Sequence, residues 1–268
     1  MTTQAMTAMP SGHYRLKQVV KSEFFKIVTL RSSTVMLTIT VLAALLIDVL
    51  TTHHDLHRYP AYYNGFDATQ ESLTGLMAAV LTGGVFGALL ITGEYASGTI
   101  RTTLSAAPRR GLLLAGKLLV TAVYTALFCE LLSFACFFLG EAILAGGGAP
   151  SATLSSHGAF RAVFMTGLCI ALMALMSFGF GLIFRSTAGA IAAFVGVMFV
   201  LELVMHGIAP GGQKFLPTTI LTESVTSTVA VHGPGSTTVS PAAGLLLMVL
   251  YAGISIAVGA GLFLRRDV

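Results

Sequence analysis

Long apolar runs alternate with short polar segments along this chain. Each run is about 20 residues long, the length of a helix that crosses a bilayer. The hydrophobic positions are continuous rather than alternating, which favours helices over the strands of a membrane β-barrel. We therefore predict an all-α membrane protein with six transmembrane helices: Thr34–Thr52, Leu73–Gly93, Leu112–Leu139, Ala162–Phe184, Thr187–Gly207 and Ala242–Leu264.

A basic amphipathic segment, Tyr14–Arg31, precedes the first run. Its apolar residues recur near a helical period and are interrupted by Lys17, Lys21, Glu23 and Lys26. We expect a helix at the inner interface, with Phe24 and the other apolar residues toward lipid and the lysines toward headgroups. A plain membrane-surface anchor is at least as reasonable a role for it as gating.

Composition excludes most soluble classes. Of 268 residues, 55% are hydrophobic and 10% are charged, and the mean hydropathy is +0.85. This number of charged residues is too small to cover a surface that faces water. A disordered protein, a cytosolic enzyme and a nucleic-acid-binding module are therefore disfavoured. We divide the chain into residues 1–33, a tail with the interfacial helix, and residues 34–268, a single six-helix domain.

The basic residues are distributed unevenly between the two sides of such a helix arrangement. Of the 15 Lys and Arg residues, only Arg58, Arg161 and Lys214 lie on one side. Cytoplasmic loops carry the excess of basic residues in membrane proteins, so both termini are predicted to be cytoplasmic. The net charge of +4 follows from this asymmetry, and no nucleic-acid partner is expected.

The polar loop Glu94–Gly111 joins the second and third predicted helices. Pro108 ends any helix in this loop before the third span begins. A short cytoplasmic helix here would expose Ile100 and Leu104, four residues apart, as a contact for another protein. Loops of this kind also occur in membrane proteins without such a partner.

The motifs of ATP-binding and hydrolytic enzymes are absent from the sequence. Gly111, Gly116 and Lys117 match part of a phosphate-binding loop, but Leu118 replaces the hydroxyl residue that would hold magnesium. The polar cluster His53–His57 lacks the spaced second pair of ligands that is typical of a structural metal site. We expect no catalytic residue, no metal and no cofactor bound by this chain.

Three acidic residues, Asp48, Glu130 and Glu202, fall inside the predicted spans. They lie roughly 20–27 Å from the inner ends of their helices. An ionised carboxylate there is costly unless it is paired, hydrated or protonated. For Asp48 we favour a structural role, in which the side chain reaches outward to the interface or bonds to neighbouring Ser or Thr residues. Glu130, and Glu202 with His206 one turn beyond it, are candidates for the substrate path or an outer polar cavity; for Glu202 a purely structural role is equally open.

Small residues spaced four apart recur inside the spans. Examples are Gly83 and Gly87, Gly189 and Ala193, and, in the last run, Gly253, Ala257 and Gly261. Such positions allow helix backbones to approach closely in lipid, so we predict helix contacts there.

The chain resembles the permease subunit of type-2 ABC exporters. The resemblance rests on the basic start "SEFFKIVTLRSS", the loop "GEYASGTIRTTLSAAPRRGLLLAGK", the long outer segment before the last span and the tail "FLRRD". The loop is the most specific of these, and many actinobacterial members carry a similar stretch. The resemblance covers nearly the whole chain and implies a multi-pass protein of the bacterial cell membrane.

The resemblance also implies an assembly. Two six-helix permease halves, identical or different, would sit above two copies of a separate ATPase subunit that binds ATP and magnesium. Tyr14–Arg31 matches the family's interfacial helix, Thr99–Ala107 its coupling helix and Thr218–Val231 its outer re-entrant helices. The residues that this comparison places at the coupling contact are Glu94, Gly98, Thr99, Ile100, Arg101 and Leu104.

The function implied is ATP-driven export of an amphipathic or lipid-like compound, such as an antibiotic or drug. A stand-alone ion-coupled carrier that uses Asp48, Glu130 and Glu202 is the alternative, although the inverted repeats of such carriers are not evident. A membrane assembly factor is a weaker alternative.

Overall fold

The computed structural model describes residues 16–58, 66–100, 110–227 and 239–265. Arg101, Leu104 and most of the predicted coupling helix therefore lie outside the described residues. So does Arg266 in the C-terminal tail.

The described residues fold into helices joined by short connections. Six of these helices are long and apolar enough to cross a membrane, which confirms the prediction of an all-α protein with six spans. The helices are α1 (Leu16–Thr29), α2 (Arg31–Arg58), α3 (Ala68–Glu71), α4 (Leu76–Ala96), α5 (Arg110–Gly146), α6 (Ala159–Phe184), α7 (Thr187–Ile208), a 3-10 helix (Pro210–Phe215), α8 (Pro217–Ser224) and α9 (Pro241–Arg265).

Helix α5 is much longer than the apolar run that predicted it. Its 37 residues correspond to about 55 Å, well beyond the hydrocarbon thickness of a bilayer. The extra turns include Glu141, whose Oε1 accepts a hydrogen bond from Ser72 Oγ at 3.1 Å and whose Oε2 accepts one from Ala152 N at 2.6 Å. These partners let a polar residue continue the helix past Leu139, where the apolar pattern ended.

Helix α6 is the most buried of the spans and forms the centre of the bundle. It packs against α4, α5, α7 and α9. The approach of α4 to α6 depends on Gly87, because a Cβ there would overlap the carbonyl oxygen of Ala174. The predicted contact at Gly87 is thus confirmed, whereas nothing lies within 4 Å of a Cβ built at Gly253 or Gly261, so the prediction for α9 is wrong. The close approach of α9 uses Gly259 instead.

One end of the bundle brings together α1, the end of α4, the beginning of α5 and the ends of α6 and α9. Phe263 near the end of α9 packs with Leu182 of α6 and Leu114 of α5. The guanidinium carbon of Arg185 lies 5.6 Å from the ring centre of Tyr95. We call this the basic end, because Lys26, Lys117 and other basic residues gather there.

At the opposite end, polar contacts tie the segment after α8 to the rest of the fold. Asp67 caps α3 and also accepts hydrogen bonds from Ser227 N at 2.7 Å and Ser227 Oγ at 2.9 Å. Arg161 Nη2 donates to the carbonyl oxygens of Thr226 and Ser227. Helix α8 itself packs on α6 and α9. It occupies the first part of the predicted re-entrant segment Thr218–Val231, of which the residues after 227 lie outside the described chain.

Helix α1 buries a different face from the one that the sequence predicted. Its buried residues are Val19, Glu23 and Ile27, which lie on one stripe and pack against α5 and α4. Phe24 remains 48% exposed, and Lys17 and Lys21 are exposed as well. The acid Glu23, which the sequence pattern assigned to the polar side, is therefore a packing residue, because it meets partners on other helices.

Candidate functional site

Four charged residues from three helices form an ion-pair cluster at the basic end. Lys117 of α5 lies 2.6 Å from Glu23 Oε2 of α1 and 2.8 Å from Glu94 Oε1 of α4. Lys26 of α1 lies 2.7 Å from Glu23 Oε1 and 3.0 Å from the same Glu94 Oε1. Each lysine thus contacts both acids, and the cluster ties α1, α4 and α5 together.

The cluster is largely withdrawn from water. The side chains of Glu23 and Lys117 are 3% and 7% exposed, whereas that of Lys26 is 36% exposed. Burial by itself lowers the pKa of Lys26, but the hydrogen bond to Glu23 and the charges of Glu23 and Glu94 outweigh it and raise that pKa. Two carboxylates and two ammonium groups balance, so the cluster places no net charge in this largely buried site.

Local packing brings α1 close enough to α5 for these contacts. Gly116 precedes Lys117, and a Cβ at Gly116 would overlap the side chain of Val19. Val19 is fully buried and packs with Leu113 one turn earlier on α5. Because Glu23 follows Val19 by one helical turn, its carboxylate comes opposite Lys117.

The beginning of the loop after α4 is held against the bundle. Gly98 has a positive φ of 71°, a conformation that a residue without a Cβ adopts readily. This conformation lets the chain turn after α4. Ser97 Oγ and Thr99 Oγ1 are 2.8 Å apart. The next residue, Ile100, is 3% exposed and packs in a cluster with Phe178 and Phe263.

The prediction that Ile100 is exposed is therefore wrong. Its side chain is used to anchor the start of the loop in the protein's own core, a contact between distant helices that sequence spacing could not indicate. Lys26 is also corrected: it pairs with Glu23 and Glu94 instead of pointing only to headgroups. The roles predicted for Arg101 and Leu104 stay predictions.

The acids predicted within the outer half of the spans lie against different elements. Asp48 is fully buried, and its Oδ1 accepts a hydrogen bond from Gly75 N at 3.4 Å. Asp48 therefore does not reach outward to the interface, because the turn before α4 closes over it, and the partner it has there is a backbone N–H instead of a Ser or Thr side chain. Glu130 lies between α5 and α6, where a Cβ on Gly167 would be 2.9 Å from its Oε2.

Glu202 lies on the part of α7 that is least covered by this chain. The segment Leu201–Ile208 has no buried residue, and Leu203 and Ile208 are 75% and 78% exposed. His206 Nδ1 lies 2.8 Å from Gln213 Nε2, and the described residues contain no ion pair between His206 and Glu202. A π-helical turn, Gly196–Val200, precedes this segment and shifts its helical phase.

Sequence reasoning missed Glu23 and Lys117. The sequence indicates Lys117 only as part of an incomplete match to a phosphate-binding loop. Glu23 carried a usable signal, since it lies one turn after Val19 and one turn before Ile27, on a stripe that is otherwise apolar.

The fold and the charge pattern define a polytopic helical membrane protein. The family model described as ABC-2 family transporter protein matches residues 5–268, nearly the whole chain. The chain belongs to this ABC-2 transporter family. No curated protein matches the chain.

Membership confirms the resemblance that the sequence motifs carried. The protein is a multi-pass protein of the bacterial plasma membrane and a membrane-embedded transport subunit of an ABC transporter. Subunits of this family work with an ATPase subunit and are not themselves catalytic.

Proposed function

We propose that this protein is the permease of an ATP-driven exporter that moves an amphipathic or lipid-like compound, such as an antibiotic or drug, out of the cell. Two copies of a separate ATPase subunit would bind ATP and magnesium and power the transport. The observation that supports coupling best is the cluster of Glu23, Lys26, Glu94 and Lys117, which joins three helices at the base of the loop after α4.

The cluster would transmit motion from the ATPase to the membrane helices. A partner that pushes on the loop between α4 and α5 moves the ends of both helices. Because Lys117 is ion-paired with both Glu94 of α4 and Glu23 of α1, α1 would move with them as one body. In this proposal Leu104 is the residue that docks on the ATPase, since Ile100 is buried within the chain.

The basic end would face the cytoplasm. Lys26, Lys117, Arg185 and Arg265 all belong to it, and basic residues favour the cytoplasmic side. An even number of spans puts α1 and the end of α9 on the same side, in agreement with cytoplasmic termini.

A second permease subunit, identical or different, would cover the exposed helices. Helices α2, α7 and α9 are the least buried spans. Glu202 and His206 on α7 would then border an outer polar cavity at the subunit interface, whereas lipid exposure of a carboxylate would be costly. Glu202→Gln should alter transport of cationic compounds more than basal ATPase, whereas a structural role predicts a silent Gln variant and a less stable Glu202→Leu variant.

Copurification tests the proposal. The protein is expressed with candidate P-loop ATPases of its organism, and the complex is reconstituted in vesicles. We expect a stable complex whose ATPase activity rises with a transported amphipath, and Leu104→Asp should abolish assembly while membrane insertion survives. A purified, folded protein that carries an ion-coupled flux without any ATPase would overturn the proposal in favour of the secondary-carrier alternative.

A further inference from the structure

A cavity of about 570 Å³ opens beside the ion-pair cluster, between α1, α2, α4 and the start of α5. Its lining includes the apolar residues Ile27, Leu30, Met36, Phe86 and Leu90. The lining also includes the four cluster residues and Ser32, Ser33, Ser97 and Thr99, and along α4 it changes from Phe86 and Leu90 to Glu94 near the helix end. Such a lining suits an amphipathic ligand, with its head at the ion pairs and its chain along the apolar residues.

The position of the cavity matches the headgroup layer of a bilayer. Leu30 separates α1 from the first span, and Glu94 lies two residues before the end of α4. Lys117 is seven residues into α5, or about 10 Å along the helix axis. Leu30 is 48% exposed, and Ser32, Gly93 and Ser97 are exposed too, so the cavity is open at its mouth.

The hydrogen-bonding capacity that the cluster leaves unused defines the ligand. Glu94 Oε1 accepts from both lysines, whereas Glu94 Oε2 is buried and has no hydrogen-bond partner in the described part of the chain. An ammonium has three N–H donors, and Lys26 uses two of them on Glu23 and Glu94. The site thus offers one carboxylate acceptor and one lysine donor, which calls for a ligand with both an N–H group and an anionic oxygen.

We propose that this cavity binds a bilayer lipid of the phosphoethanolamine class. Its primary ammonium donates to Glu94 Oε2, its phosphate accepts from Lys26, and its acyl chains lie along Ile27, Leu30 and Met36. The ligand and the cluster are each neutral overall, so binding buries no net charge. A phosphocholine lipid lacks the N–H donor, and a phosphoglycerol lipid lacks the cation that Glu94 attracts.

Brominated lipids and a single tryptophan test the proposal on the intact, isolated subunit. The chain contains no tryptophan, so Leu30→Trp places one fluorophore at the mouth of the cavity. We expect brominated phosphatidylethanolamine to occupy the site in preference to brominated phosphatidylcholine by about fivefold, the ratio that one net hydrogen bond supplies. Leu81→Trp, at an exposed position of α4 away from the cavity, is the control and should show no preference.

Two further variants separate recognition from folding. In the Leu30→Trp background, Glu94→Gln keeps an oxygen acceptor for the lysines but replaces the second acceptor with a donor. The preference for brominated phosphatidylethanolamine over brominated phosphatidylcholine should therefore disappear. Ser32→Leu fills part of the cavity without touching an ion pair and should also remove the preference. Unchanged helix content by circular dichroism shows that each variant is folded.

Equal quenching by both lipids in the Leu30→Trp protein would overturn the proposal. So would a preference that survives Glu94→Gln, or stronger quenching by brominated phosphatidylglycerol, which would indicate a simple anion site at the lysines. The measurement needs neither the ATPase nor a transported compound, so its outcome is independent of the proposed export function.

Discussion

Lys117 on α5 and Glu23 on α1, 94 residues apart in the sequence, form an ion pair of 2.6 Å in which both side chains are less than 10% exposed. Helix α1 thus belongs to the bundle through a buried charge contact and is more than a surface anchor. The same contact places the amphipathic helix, the end of α4 and the start of α5 in one network.

Lys117 should contribute far more to stability than Lys26. Lys117→Met leaves Glu23 and Glu94 buried with a single lysine, and breaking a buried pair in this way costs about 3 kcal/mol. Lys26→Met removes a lysine that is 36% exposed, so the expected cost is about 1 kcal/mol or less. Thermal unfolding of the detergent-solubilised protein compares the two, and equal destabilisation would contradict the buried geometry of Lys117.

Ile100→Asp should destabilise the permease itself. The substitution places a carboxylate among Phe178, Leu182 and Phe263 without a partner, at a cost of about 3 kcal/mol. The melting temperature of the isolated subunit should therefore fall. An unchanged melting temperature together with loss of the ATPase complex would restore Ile100 to the docking role that the sequence suggested.

Gly87→Ala should separate α4 from α6. The added Cβ would overlap the carbonyl oxygen of Ala174, and neither backbone can move without disturbing the centre of the bundle. We expect a loss of about 1–3 kcal/mol, measured by thermal unfolding. Gly93→Ala, on the same helix with nothing within 4 Å of the new Cβ, is the matched control and should be neutral or slightly stabilising.

Stability should depend on pH through Glu71. Burial, the hydrogen bond and charge of Asp55, and the charge of Asp67 raise the pKa of Glu71 from 4.5 to about 7. The pKa of Glu71 is thus higher in the folded protein than in the unfolded one. The contribution of Glu71 to the free energy of unfolding is therefore fully present below pH 4.5 and is lost as pH rises through 7. Melting curves between pH 4.5 and 8 should show this fall, and Glu71→Gln should flatten it; an identical slope in the variant would exclude Glu71 as its source.

Topology is tested by labelling single cysteines in intact cells. The three native cysteines, Cys129, Cys136 and Cys169, are buried and can be replaced first. Labels that do not cross the membrane should reach cysteines placed at Arg58, Arg161 and Lys214. They should not reach positions 26, 109, 185 and 266, and labelling at position 109 would contradict the proposed orientation.

The apolar runs by themselves determined the number and type of the spans. A continuous run of about 20 apolar residues has few alternatives in a bilayer, because every backbone group must be paired within the segment. A local pattern also indicated the amphipathic α1, and the family resemblance implied a helix in the segment that begins at Thr218, where α8 lies. The loop motif after α4 was enough to indicate the ABC-2 family, which the family model confirms.

Only the tertiary structure decided which side chains on those helices meet. The sequence pattern shows that Glu23 and Lys117 are polar, but a buried charge is distinguished from a solvated one by partners that lie far away along the chain. For the same reason the sequence pattern indicated an exposed Ile100 and did not reveal that Asp48 is buried: both are covered by contacts of other helices or turns. Helical periodicity indicates a face, whereas the packing of α1 against α4 and α5 determines what that face touches.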